Sequence, residues 1–226
     1  MNIKKKIEAL LLSEFKTVPF HNIFMLNNKK NMDAELGGTC SDKVLHFKKI
    51  LLENGFDSVL HSSFINGYEC HRMLKVLIDK KIYFIDVGSG WPTLKLIPAY
   101  REMEYSIFGM SFKTEYLDHN LLVFHRTGQN FKLMLTIPLE SKPENEIYKD
   151  IEVRFDKKDI YPFHYHLRFS QIIGDSFYFI KADELRIYNE LGIEKKSLNK
   201  NEIEALIQDT FRFKLEGFEA WYTPKK

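Results

Sequence analysis

Cysteine is scarce in this chain. Only Cys40 and Cys70 occur in 226 residues, so at most one disulfide could form. A disulfide framework is not what holds the fold, and a reducing, cytoplasmic setting is expected. Long apolar runs are missing as well. Ala9–Leu12 follows Lys4–Lys6 and is closed by Ser13, Glu14 and Lys16. That run is too short for a membrane span and wrongly flanked for a signal peptide. Charge of one sign is also absent: 33 basic residues face 31 acidic ones, a net charge of +2. Such a balance offers no footprint for nucleic acid or a membrane surface. No repeat, low-complexity segment, linker or Gly-rich phosphate loop interrupts the chain. Aromatics, at 14% with 19 Phe and 11 Tyr, are plentiful enough for a core and for an apolar pocket.

Within this ordinary composition one stretch stands apart, Leu36–Gly37–Gly38–Thr39–Cys40. It runs into Val44, Leu45, Phe47, Ile50, Leu51 and Leu52 at helical spacing, with a stop at Asn54–Gly55. Cys40 is thus expected at the first turn of a helix. There the unpaired N–H groups and the positive end of the dipole favour a thiolate. Gly37 and Gly38 are expected to leave open backbone beside the sulfur, with N–H groups for an oxyanion. Set against this, a lone cysteine is commonly a small buried hydrophobe.

Residues 1–16 read as a helix with Ile3, Ile7, Leu10, Leu11 and Phe15 on one face. Pro19 breaks it, and residues 23–36 read as loop. After the Cys40 helix, 56–65 is strand-like and Asn66–Gly67 signals a hairpin. His71–Ile78 and Ile82–Val87 form two strands around Asp79–Lys80. Tyr105–Phe112, Leu121–Arg126 and Phe131–Ile137 follow as strands. Pro138–Asn145 is a polar connection, 150–190 holds short extended runs, and Lys200–Phe211 reads as a helix.

A cysteine nucleophile needs a base, and the base an orienting acid. A two-residue turn at Asp79–Lys80 pairs Ile78 with Lys81, Met73 with Asp86 and His71 with Gly88. His71 and Asp86 then share one face as diagonal neighbours, about 7–8 Å apart. A one-residue change in the turn would separate them. Gly88 is expected to leave room over the His71 ring. Asp86 follows Ile82–Ile85, an apolar strand where a carboxylate needs a reason; capping the next turn is the plain one. Cys70 alternates to the other face and reads as packing. His164–Tyr165–His166 has the spacing of a two-histidine metal pair, but with no partner ligand it reads as a surface or edge-strand pair.

These residues resemble the arylamine N-acetyltransferase family. That family carries Arg-Gly-Gly-X-Cys at a helix start, a histidine opening a strand, and Asp-Val-Gly ending the next. Here they stand as Leu36–Cys40, His71 and Asp86–Val87–Gly88, and Val18–Asn22 is similar to the upstream Pro-Phe-Glu-Asn element. Residues 161–212 resemble the family's last lobe in layout. The resemblance implies an α+β fold: a helical N-terminal lobe (1–56) with the nucleophile, an antiparallel β-barrel (57–145) with His71 and Asp86, and an α/β C-terminal lid (146–226), on a core related to transglutaminases and papain-like proteases. It implies Cys40, His71 and Asp86 as catalytic residues, and Phe20, Gly88, Ser89 and Trp91 as pocket residues. Acetyl-CoA is the implied acyl donor and a small amine, hydrazine or hydroxylamine the acceptor, with no metal.

Three departures carry consequences. His21 and Leu36 replace the family's Glu and Arg, so both halves of any ion pair there are gone. Ser89 replaces an aromatic and implies a different acceptor pocket. Only 39 residues precede Cys40, implying a shortened helical lobe. Three functions follow: a CoA-dependent acyltransferase, a hydrolase or transamidase on the same triad, or a non-enzymatic binding or effector member. An acetyl-enzyme formed from acetyl-CoA marks the first. A reactive Cys40 without CoA dependence marks the second, and an inert Cys40 the third.

Overall fold

The computed structural model of the protein describes residues 2–157, 159–161 and 163–222. Helix α1 (Ile3–Thr17) starts at Asn2, whose side chain accepts from the Lys4 N–H. It buries Ile7, Leu11 and Phe15. After strand β1 (Phe20–His21), residues 23–36 depart from the expected loop. Ile23–Leu26 forms a one-turn helix, α2, and Ala34–Leu36 a 3-10 turn capped by Asp33. The apolar run Ile23–Met25 is what folds the first of these, because it is wholly buried. Helix α3 (Cys40–Glu53) follows.

Eight antiparallel strands then form one curled sheet, a half-barrel. They are β2 (Val59–Ile65), β3 (Tyr68–Ile78), β4 (Lys81–Ile85), β5 (Ile97–Pro98), β6 (Glu104–Ile107), β7 (Met110–Leu117), β8 (Asn120–Arg126) and β9 (Lys132–Pro138). Their order is β5-β4-β3-β2-β9-β8-β7-β6. Both expected two-residue turns form. Asn66–Gly67 and Asp79–Lys80 all adopt positive φ, the geometry that matches strand twist. The segment Tyr105–Phe112, expected as one strand, is two: the chain reverses at Phe108–Gly109, with φ of 51° and 68°, and Tyr105 pairs with Phe112. Its alternation changes phase at Ile107–Phe108, just ahead of Gly109, and that break coincides with the reversal.

Helix α4 (Glu144–Glu152) lies where a polar connection and extended runs were expected. Only Ile147 and Ile151 of it are buried, one residue per turn on an otherwise polar helix. A second antiparallel sheet joins β1 to β10 (Arg168–Ile173), β11 (Ser176–Lys181), β12 (Glu184–Asn189) and β13 (Gly192–Ser197). Helix α5 (Lys200–Ala205) opens with an Asn199–Glu202 capping box. The expected helix to Phe211 changes to a π-turn over Leu206–Thr210. The main core takes Ile7 and Phe47 from the helices, Leu74 and Phe112 from the half-barrel, and Phe177 and Tyr188 from the second sheet. It binds all three parts of the chain together.

Candidate active site

Cys40 is the first residue of α3, with Thr39 as its N-cap. The Asp42 carboxylate accepts from the Thr39 N–H at 3.0 Å and its hydroxyl at 3.1 Å. It also accepts from Arg154 at 2.7 Å. These bonds fix the first turn and so the sulfur. Together Thr39 and Asp42 form a capping box.

The two glycines serve a different purpose from the one expected. The Gly37 N–H donates to Ala34 O and the Gly38 N–H to Pro19 O, so neither is offered to an oxyanion. A Cβ at Gly37 would lie 2.0 Å from Pro19 O. Glycine here lets the loop press on β1, and the His21 N–H closes that contact onto Gly38 O at 2.9 Å.

His71 and Asp86 meet as the register requires. The β3–β4 ladder runs from Ile78↔Lys81 to Leu74↔Ile85. Just past it, His71 Nε2 donates to Asp86 Oδ1 at 2.9 Å. Asp86 Oδ1 also accepts from the Gly88 and Ser89 N–H groups at 3.2 and 3.0 Å, so the carboxylate caps its own turn as well as holding the ring. With Nε2 taken by Asp86, Nδ1 is the ring nitrogen left for Cys40, and His71 and Cys40 each favour the other's charged form. The room expected at Gly88 is occupied: a Cβ there would lie 2.4 Å from Cys40 Cα. Gly88 brings the Asp86 turn against the nucleophile helix.

The exposures of Cys40, His71 and Asp86 are 2%, 1% and 0%. Burial by itself would lower the His71 pKa, but the charge and hydrogen bond of Asp86 outweigh it and push it up to about 10. Burial would raise Cys40, yet the His71 hydrogen bond and charge, with Arg72, bring it below the ordinary thiol value. Asp86 is likewise lowered against its burial, first by His71. The electrostatics favour a thiolate–imidazolium–carboxylate row. Cys70 differs: burial raises its pKa to about 11. It packs beside Phe20 and Tyr161, while its carbonyl lies 3.7 Å from Cys40 Sγ.

A family model for N-acetyltransferases matches residues 5–220. This chain belongs to the arylamine N-acetyltransferase family. The family is one of enzymes that use acetyl-CoA. Among solved structures, the Mycobacterium marinum arylamine N-acetyltransferase in complex with CoA superposes with a TM-score of 0.80 at 14% identity, over 93% of this chain and 86% of that one. The Salmonella typhimurium enzyme gives 0.80 at 16% identity, over 99% and 89%. A Bacillus cereus arylamine N-acetyltransferase described as having a unique Cys-His-Glu catalytic triad gives 0.75 at 17%, over 92% and 90%. Curated proteins yield no match to the sequence.

The remaining expected residues fall as follows. Phe20 is buried edge-on to Phe163, ring centroids 5.9 Å apart. The Ser89 hydroxyl donates to Trp91 O at 3.3 Å. Trp91 stacks on Phe179 at 5.0 Å, between the half-barrel and the second sheet. His21 and Leu36, the two departures, touch through backbone: His21 Nδ1 accepts the Ile23 N–H and Nε2 donates to Leu36 O at 2.9 Å. Burial lowers the His21 pKa to about 3, so a neutral ring stands where the family has a charge. His164–His166 lies in bends ahead of β10.

Sequence reasoning missed two ionic features. Lys43, fully buried, donates to Glu14 at 3.0 Å and to Val18 O at 2.6 Å, tying α3 to α1. Arg72, also fully buried, sits beside His71 in strand β3. Glu69, His71 and Lys75 in the same strand make a charge there ordinary in the sequence.

Proposed function

We propose that this protein transfers an acetyl group, or another short acyl group, from coenzyme A to an amine, hydrazine or hydroxylamine by a ping-pong route through Cys40. The observation that carries the reading is the buried His71–Asp86 hydrogen bond, with Cys40 packed against the same Asp86–Gly88 turn. In the first half-reaction the Cys40 thiolate attacks the thioester carbonyl. The carbon–sulfur bond to coenzyme A breaks, and the departing sulfur takes the proton from His71. One thioester replaces another, so little free energy is needed. In the second, the neutral acceptor nitrogen attacks the acetyl carbon, its proton passes to His71, and Cys40 leaves as thiolate. Asp86 orients the ring and stabilises its positive charge when protonated. Phe20, Gly88, Ser89 and Trp91 are assigned to the pocket wall, with Ser89 opening space on the acceptor side. Both cysteines are free, which fits a reducing, cytoplasmic setting; among the described residues no helix is long and apolar enough to cross a membrane.

Intact mass after mixing with acetyl-CoA and no acceptor tests this. The expected gain is one acetyl group, about 42 Da, abolished in Cys40→Ala and discharged by an added aryl hydrazine. A Cys40 that alkylates fast yet takes no acetyl group would overturn the donor and fit a hydrolase or transamidase. A sluggish thiol without adduct would fit a non-enzymatic member.

A further inference from the structure

With Cys40 as thiolate and His71 as imidazolium, the row Asp86⁻–His71⁺–Cys40⁻ would carry one net negative charge, and all three residues are buried. An uncompensated buried charge is expensive, so a cation is required nearby. His21, the family-pattern glutamate position, is neutral. Lys43 is engaged by Glu14, which is also bonded by His46. Arg154 is engaged by Asp42. Arg72 is different.

Its side chain is 1% exposed. Nη1 donates to His71 O at 3.0 Å and to Glu69 O at 3.2 Å, which lays the guanidinium along the backbone whose Cys70 carbonyl faces the Cys40 sulfur. Nη2 reaches Asp150 at 3.3 Å and the Tyr161 hydroxyl at 3.4 Å. Asp150 does not belong to Arg72 alone, for it also pairs with Lys142 and Lys157. Lys142 in turn pairs with Glu69. Three cations thus share two carboxylates, and the cluster keeps one positive charge, the amount the triad lacks. Cys70 and Tyr161, the other titratable groups here, have raised pKa values of about 11 and 12 and stay neutral.

We propose that Arg72 is the counter-ion of the activated triad, a positioning residue that holds Cys40 as a thiolate through its field. This rests on the acyl-transfer reading for its purpose, though not for its test. Both the Arg72 guanidinium and its backbone N–H favour the Cys40 anion.

The test is the pH profile of iodoacetamide alkylation of Cys40, in a Cys70→Ala background and without acetyl-CoA. Arg72→Gln should move the midpoint up by one unit or more, a tenfold or greater loss of rate at pH values below it. Arg72→Lys should recover most of that shift. Asp150→Asn should move the midpoint down, because it removes the carboxylate that offsets Arg72. A purely structural clip moves melting temperature in all three and the midpoint in none. An unchanged midpoint in folded Arg72→Gln overturns the proposal. If Arg72→Gln does not fold, Asp150→Asn decides: its site is partly exposed, and an upward or absent shift overturns the proposal. Failure to take an acetyl group with these shifts intact would sink the acyl-transfer reading and leave the counter-ion standing.

Discussion

Gly88 and Cys40 touch through their backbones: a Cβ on Gly88 would lie 2.4 Å from Cys40 Cα and 2.7 Å from its Cβ. Neither neighbour is a flexible side-chain end, so the contact cannot relax cheaply. Gly88→Ala should therefore destabilise by about 1–3 kcal/mol, the usual cost of overpacking. For a chain this long that is roughly 2–4 °C of melting temperature per kcal/mol. Alkylation of Cys40 should slow in parallel, because the Asp86 turn is pushed from the helix. A Gly88→Ala protein with unaltered melting and thiol reactivity would show that the contact is not needed.

Asp86 holds His71 by a single buried oxygen, Oδ1. Asp86→Asn should keep the fold yet reduce acyl transfer by about 10²–10⁴-fold, because the amide neither stabilises the imidazolium nor selects the ring tautomer. Cys40→Ala and His71→Ala should abolish turnover. Stopped-flow measurement of acetyl-enzyme formation checks this, and transfer persisting in Cys40→Ala refutes the assignment.

The triad also links stability to pH. The folded His71 value, about 10, lies above its ordinary 6.5. Its contribution is complete below 6.5 and is lost as pH rises through about 10. Asp86 runs the other way: its folded value lies below 3.8, so its share is present above 3.8 and is lost as pH falls through the lowered value. Urea midpoints of wild type and His71→Gln should differ most at weakly acidic pH, between 3.8 and 6.5, and converge as pH rises to about 10. Parallel curves there would contradict the ion pair.

Lys43 and Glu14 are both fully buried. Lys43→Met alone leaves the buried Glu14 with only His46 as a partner and should cost about 3–5 kcal/mol. Lys43→Met with Glu14→Leu should cost clearly less, since both charges go together. Denaturant unfolding of the four proteins of this cycle measures the coupling, and additivity would rule it out.

His21 should stay neutral through the whole functional range. With Nε2 donating to Leu36 O and a value lowered to about 3, its nitrogen resonances should report one neutral tautomer from pH 4.5 to 9. Titration near 6.5 would mean that the ring is open to water.

The sequence by itself determined the elements whose rules are local. The helix after Gly37–Gly38, the turns at Asn66–Gly67 and Asp79–Lys80, and the side-chain period of two brought His71 and Asp86 to one face. The family could be named from the same residues. Helix α4 and the reversal at Phe108–Gly109 escaped: the helix turns only Ile147 and Ile151 inward from a polar segment, and the reversal is marked only by a change of phase at Ile107–Phe108 inside a short run. Only tertiary structure decided that Gly88 abuts Cys40, that the Gly37 and Gly38 N–H groups go to Ala34 and Pro19, and that Arg72 meets Asp150 and Tyr161. Apart from the local Gly37–Ala34 bond that closes the 3-10 turn, those are contacts between residues far apart in the chain, set by how helix, half-barrel and second sheet close on one core. No spacing in the sequence encodes them.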